Sequence, residues 1–328
     1  MKALVNRAPG VLEMCEWPTP EPGPGAVRVR TAACGICATD LEMIAGWQRT
    51  SFPSIPGHEW SGVVDAVGDG VNPAWSGQPC VGENVLADGG EVGFEHPGGY
   101  GQFLITSVKN LYALPPVFPL SAAALIEPLA VCMRGLRRLR IENKRSALIL
   151  GDGPIGLLML MLLKRERVEP IVMVGGRRGR LALAKDIGAN AALDYRSLKD
   201  GLEKYLMDIY PGGFANVIEA TGSENGARTA IRTAANAGHV LILGDYRAAR
   251  ADFHWNDLLH REVEVIGSNA SAGGWAEAVS AAISRELPVE RLITKVFPAA
   301  AYSEAFSLVR GQGEEVVKVV LDWGEAGC

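Results

Sequence analysis

The chain has 328 residues, 48% hydrophobic and 21% charged, which at roughly 150 residues per domain supports about two domains with cores of their own. That excludes a peptide hormone, a knottin, a lone binding module and an intrinsically disordered chain. The net charge is −5, from 32 Lys and Arg against 37 Asp and Glu, so nothing electrostatic argues for nucleic acid or an anionic membrane as partner, and a small ligand is expected.

The N-terminus reaches Pro9 and Gly10 before a signal-peptide core could form. The longest apolar run, Ile155 to Leu163 broken only by Gly156, has the length of a buried helix, well short of the roughly 20 residues that span a bilayer. A cytoplasmic chain with no membrane partner is the expectation. Six cysteines (Cys15, Cys34, Cys37, Cys80, Cys132, Cys328) are scattered through the chain, which suits reduced thiols and a metal site better than a disulfide framework.

The first 115 or so residues are rich in Gly, Pro and short β-branched runs such as Val27 to Arg30 and Ser61 to Val67, a pattern of short strands and tight turns. From about Leu129 the texture changes to apolar strands alternating with helical stretches. The expected strands are Ala147–Leu150, Ile171–Val174, Ala191–Asp194, Asn216–Ala220, Val240–Leu243 and Val263–Ile266. This is an α/β fold, with βαβ repetition building a doubly wound parallel sheet of six strands. Past Gly267 a helix around Trp275 to Ser284 and a final strand, Val316 to Leu321, are too little for a third domain and are expected to rejoin the first. Residues 1–127 and 270–328 are therefore assigned to one domain and 128–269 to the other.

The first strand of the second domain runs into Gly151-Asp-Gly153-Pro154-Ile155-Gly156 and an apolar helix. In this context each glycine of GxGxxG has a job. Gly151 allows the tight turn, Gly153 lets backbone approach a pyrophosphate, and Gly156 lets helix pack on sheet. The second strand ends Val174-Gly175-Gly176-Arg177-Arg178, with no carboxylate where an acid bonds the ribose 2′-hydroxyl of NAD. Arg177 and Arg178, with Arg180 a less informative third, can bind a 2′-phosphate by charge-assisted hydrogen bonds, so NADP(H) is expected over NAD(H).

In the first domain Cys34-Gly-Ile-Cys37-Ala-Thr39-Asp40 is followed, 21 residues after Cys37, by Pro56-Gly57-His58-Glu59. With Gly98-Gly99-Tyr100, Glu127-Pro-Leu-Ala, Val217-Ile-Glu-Ala-Thr-Gly222, His239-Val-Leu-Ile-Leu-Gly244 and Lys318-Val-Val-Leu, the chain resembles the zinc-containing medium-chain dehydrogenase/reductase family, in its polyol (sorbitol-like) and threonine dehydrogenase branch. The resemblance implies a GroES-like catalytic domain beside a Rossmann domain. It makes Cys37, rather than Cys34, the thiolate ligand of a catalytic zinc, His58 the imidazole ligand, Glu127 the third ligand and Glu59 an occasional or water-mediated one. Three protein ligands with an open position is the catalytic arrangement. Pro128 suits the first turn of a helix while Glu is a poor N-cap, which leaves the Glu127 carboxylate free for such a role.

By the same resemblance Thr39 relays the alcohol proton and Asp40 orients His58 through its other ring nitrogen. Thr221, Gly244, Ser268 and Asn269 join Gly175 and the glycine turn at the cofactor, and Trp47, Phe94 and Asn269 line the substrate pocket. The strand Val263 to Ile266 is the element through which a homodimer or homotetramer forms. Two departures stand out. The stretch Val81 to Pro97 contains none of the four cysteines that hold a structural zinc in many relatives, so one zinc per chain is expected. Glu42 stands where relatives carry a histidine, and the sequence leaves open whether it ends the proton relay or faces solvent.

The function expected is a zinc-dependent dehydrogenase, NADP(H)-preferring, moving a hydride between nicotinamide and a secondary alcohol or ketone, a polyol, sugar-derived or amino alcohol. A zinc-free quinone or alkene reductase of the same superfamily, or a catalytically silent nucleotide sensor, are the alternatives. Intact Cys37, His58 and Glu127 count against both.

Overall fold

The computed structural model describes residues 1–141, 145–198, 201–311 and 313–324; Cys328 lies outside the described residues. The chain divides into two compact units, Met1–Glu127 with Trp275–Gln312 and Lys318–Cys328, and Pro128–Gly274 with Gly313–Val317.

The first unit opens with the hairpin β1 (Lys2–Ala8) and β2 (Val11–Glu16). Then come β3 (Ala26–Gly35), α1 (Ala38–Ala45), β4 (Glu59–Val67), β5 (Pro79–Gly82), β6 (Phe103–Ser107), β7 (Leu111–Ala113) and the short α2 (Leu120–Ala123). In β3 Val27, Val29 and Thr31 are buried while Arg28 and Arg30, on the other face, are half-buried, the period-two alternation of a strand.

α3 (Ile126–Leu139) leads into the second unit, which alternates β8 (Ala147–Leu150), α4 (Pro154–Arg165), β9 (Ile171–Gly175), α5 (Arg178–Ile187), β10 (Ala191–Asp194), α6 (Leu202–Ile209), β11 (Phe214–Glu219), α7 (Glu224–Thr233), β12 (Ala234–Ile242), α8 (Trp255–Leu259) and β13 (Glu264–Gly267). Among the described residues these strands form one sheet in the order β10-β9-β8-β11-β12-β13, every neighbouring pair parallel. Numbered within the unit that is 3-2-1-4-5-6, the dinucleotide-binding order expected from the sequence. Its core is apolar: Leu148, Val172, Val174, Leu206, Phe214, Val217 and Val240 are buried together. α4 is buried from Gly156 through Leu163, which explains its nearly unbroken apolar sequence.

The chain then returns to the first unit with α9 (Trp275–Ile283), β14 (Ile293–Pro298), α10 (Tyr302–Arg310) and β15 (Lys318–Asp322). β15 pairs with β3, so the sheet runs β14-β15-β3-β4-β5-β7 with β6 also on β3. The last strand begins two residues later than Val316, because Gly313 to Val316 form a turn in which the Val316 N–H donates to the Gly313 carbonyl, and Gly313–Val317 packs with the second unit.

Candidate active site

β3 ends at Gly35, and α1 opens on Cys37 as its N-cap. Asp40, three residues on, reaches back to accept the Cys37 N–H through Oδ2 at 2.8 Å, fixing the turn that presents the thiol. Cys37 Sγ lies 3.6 Å from Thr39 Oγ1. Cys34 is fully buried and its thiol is pushed well up, by burial first and then by Asp40 and Glu59, so it is an inert core thiol.

His58 and Glu59 stand at the start of β4. Gly57 before them has φ +100°, and a Cβ there would fall 2.7 Å from the Tyr100 ring, so both backbone and space demand glycine. Asn84 holds the His58 carbonyl through Nδ2 (2.9 Å) while accepting from the Trp60 indole N–H (2.8 Å). His58 Nδ1 is 3.3 Å from Asp40 Oδ1, leaving Nε2 for another partner. Burial pushes the His58 imidazole down, but the Asp40 charge overrides it and holds the ring well above the usual histidine range. Burial likewise raises Asp40, yet His58 and the hydrogen bonds from Cys37 and Tyr100 keep it below the ordinary carboxyl value. Phe94 packs on His58 with ring centroids 4.9 Å apart, and the Arg49 guanidinium lies over the Phe94 ring, 4.6 Å from its centroid. Arg49 also pairs with Glu91 and Glu95.

Cys37, His58 and Glu59 bring one donor atom each to within 4.8 Å of one another. Glu59 Oε1 accepts from Lys318 Nζ at 2.6 Å, and its Oε2 is buried with no hydrogen-bond partner among the described residues. Glu127 stands outside that close trio but is buried beside it. Burial pushes its carboxyl up to about 7, with His58 lowering it and Glu59 raising it. A thiol, an imidazole and two buried carboxyls, one with an orphaned oxygen, form an N/S/O donor set. It fits a divalent cation of the zinc type.

In the second unit Gly151 takes φ +115°, and a Cβ on Gly156 would sit 2.0 Å from the Gly151 carbonyl. Only glycine allows this turn and helix to meet. α4 starts on Gly153 and Pro154 without a side-chain cap, so its first N–H groups face the turn. Ile155 stands in its first turn. At the end of β9, Gly175 is buried and carries no side chain, and the sequence reading of a strand tip without a carboxylate holds for the strand itself. Asp152 supplies one from the neighbouring turn: its Oδ2 accepts the N–H groups of Gly176 (2.9 Å) and Arg177 (2.8 Å).

Arg177 caps α5 and lies 3.7 Å from Asp152 Oδ1, Arg178 is exposed, and Arg180 is buried with its Nε unpartnered among the described residues. Burial, then Arg177, brings the Arg180 guanidinium down to about 10. Thr221 and Gly244 meet at Glu219: the Thr221 N–H donates to Glu219 Oε1 at 2.8 Å and the Gly244 N–H to the Glu219 carbonyl at 3.0 Å. Ser268 has a buried Oγ with no hydrogen-bond partner among the described residues, and Asn269 is exposed just past β13.

A family model of the glucose dehydrogenase C-terminus matches residues 120–323, and one of the alcohol dehydrogenase GroES-like domain matches 23–116. The chain belongs to the zinc-type medium-chain alcohol dehydrogenase-like family, in its polyol and threonine branch. Among its relatives, D-arabitol-phosphate dehydrogenase of Enterococcus avium is 27% identical over 98% of this chain and 97% of its own. L-threonine 3-dehydrogenase of Anaeromyxobacter sp. is 28% identical over 99% and 100%. The same fold is seen in an alcohol dehydrogenase of Escherichia coli CFT073 complexed with NADH, with TM-score 0.91, 23% identity and coverage of 98% and 99%. This dehydrogenase is thus an oxidoreductase of the alcohol dehydrogenase class, with its GroES-like and Rossmann parts as expected. No helix among its described residues is long and apolar enough to cross a membrane.

Three of this dehydrogenase's site residues escaped the sequence reading. Lys318 is buried against Glu59, and Tyr100 donates to Asp40 Oδ2 at 3.0 Å. Glu219 is fully buried and also accepts from Tyr246 at 2.6 Å. The signal for Lys318 was present: a lone lysine inside Val316-Val317-Lys318-Val319-Val320 must find a counter-charge once that strand is buried.

Proposed function

We propose that the chain is a zinc-dependent dehydrogenase that moves a hydride between a nicotinamide dinucleotide, NADP(H) in preference to NAD(H), and a secondary alcohol or ketone of the polyol, sugar-derived or amino-alcohol type. The observation that carries this reading is the convergence of Cys37, His58 and Glu59 on one point beside the buried Glu127. Cys37, His58 and Glu127 would hold the zinc, with Glu59 beside it. Bound there, zinc supplies Lewis acidity that lowers the proton affinity of an alcohol oxygen.

Thr39 Oγ1, on the first turn of α1 beside Cys37, takes up the substrate hydroxyl proton as it passes its own onward. Asp40 is a positioning residue: its Oδ1 stands 3.3 Å from His58 Nδ1 and its Oδ2 ties the Cys37 backbone to the same carboxylate. In the other unit Gly151, Gly153 and the uncapped start of α4 receive the pyrophosphate, and the guanidiniums of Arg177 and Arg178 favour a 2′-phosphate. Gly175, Thr221, Gly244, Ser268 and Asn269 complete that cofactor surface. A nicotinamide held there would supply the hydride acceptor in the oxidative direction.

A homodimer or homotetramer forms through β13, an edge strand whose Val265 is exposed. The experiment is a panel of polyols, sugar phosphates, amino alcohols and simple secondary alcohols, followed by absorbance of the reduced nicotinamide. Turnover of at least one class supports the reading. Quinone or alkene reduction in its place, with alcohols inert, overturns it.

A further inference from the structure

Asp152 occupies the variable position between the first two glycines of the turn, where the motif itself asks for nothing. Its carboxylate is nonetheless buried at the end of β9, where this sheet topology places the adenosine ribose of a bound dinucleotide. A Cβ built on Gly175, the last residue of that strand, would lie 2.4 Å from the Cβ, Cγ and Oδ2 of Asp152. The carboxylate therefore fills the space that a strand-end side chain would take, and the two cannot coexist.

The backbone around it tells the same story. Asp152 Oδ2 takes the N–H groups of Gly176 and Arg177, and Glu314 Oε2 takes that of Arg178 at 2.6 Å. The Glu314 carbonyl accepts from Arg180 N at 3.3 Å. The amides that open α5 are thus already bonded to groups of this chain. A 2′-phosphate arriving there finds the amides of Gly176, Arg177, Arg178 and Arg180 taken, and the Asp152 and Glu314 carboxylates beside the guanidiniums. Asp152 Oδ1 keeps lone pairs for a further donor, since Arg177 Nη1 stands off at 3.7 Å.

We propose that Asp152 is the specificity-determining residue for the cofactor: it replaces the missing strand-end acid from the glycine turn, accepts from a ribose hydroxyl, and holds the NADP preference below what the arginines alone would give. This rests on the nicotinamide reading above. A unit charge this close to a phosphate in a half-buried site is worth about a factor of ten or more in relative affinity.

The test is calorimetric binding of NAD and NADP to the wild-type chain, to Asp152→Asn, which keeps an acceptor oxygen and the shape, and to Asp152→Gly combined with Gly175→Asp, which moves the carboxylate back to the strand. Asp152→Asn is expected to weaken NAD and tighten NADP, shifting their ratio by roughly tenfold or more, and the double variant to bring the ratio back. A residue that merely staples the two turns would weaken both cofactors by the same factor. That result, or an unchanged ratio, overturns the proposal. Wild-type protein that binds neither nucleotide overturns the nicotinamide reading itself.

Discussion

Replacing Lys318 by Met keeps a long apolar stem in the strand and deletes the ammonium. In the wild type its Nζ is 2.6 Å from Glu59 Oε1 and 3.3 Å from the Ile36 carbonyl, with the two side chains 3% and 1% exposed. Burial pushes Lys318 down, but Glu59 overrides it and keeps the amine above its ordinary value, so the pair is ionic. Without it the Glu59 carboxylate, whose Oε2 has no hydrogen-bond partner among the described residues, is left buried beside Glu127. Removing one side of a buried ion pair costs about 3–5 kcal/mol. In a unit of this size each kcal/mol moves Tm by roughly 2–4 °C. Metal-free Lys318→Met is therefore expected to melt roughly 10 °C below metal-free wild type. Zinc restores a positive charge beside the same carboxylate, so the deficit narrows on loading. Thermal unfolding by circular dichroism, with chelator and then with excess zinc, reads both numbers. Equal Tm values for the two metal-free proteins would refute the buried pair. An equal deficit with and without zinc would place the metal away from Glu59.

Cys37→Ser should lose bound zinc and alcohol oxidation together, while Cys34→Ser keeps both, as metal analysis of the two purified variants will show. Glu127 titrates near 7 in the folded metal-free chain against an ordinary 4.5. Its raised value means the folded state holds a proton that the unfolded state has released, so metal-free stability falls as pH climbs through that window. Denaturant titrations at several pH values should show this slope in wild type and a flatter one in Glu127→Gln. An unchanged slope would mean that another group titrates there.

The second unit was legible because its signals are local. Apolar strands, a glycine turn and apolar helices each announce themselves within about 15 residues, and the observed strand order follows from stacking βαβ units. Boundaries failed where the signal is not local. β12 begins at Ala234, within Ala234-Ala-Asn-Ala-Gly-His239, which carries no apolar run, because the strand is defined by its neighbour β11. The metal residues were legible by spacing, since Cys37 and Asp40 share one helical turn and His58 follows a glycine that its backbone requires. The partner of Lys318 was not, because it lies 259 residues away. Asp152 carries no signal in the sequence: its place at the strand tip follows from the empty Cβ position at Gly175, and a pairing between two loops leaves no periodicity to find.

The claim on which the account stands is that a metal bound by Cys37, His58 and Glu127 makes this chain an alcohol dehydrogenase. Metal content of the purified protein, measured with alcohol-dependent reduction of NADP before chelation, after chelation and after zinc is returned, tests it most directly. About one zinc per chain is expected, with activity lost on chelation and restored by zinc. Full activity in protein stripped of metal would contradict the account.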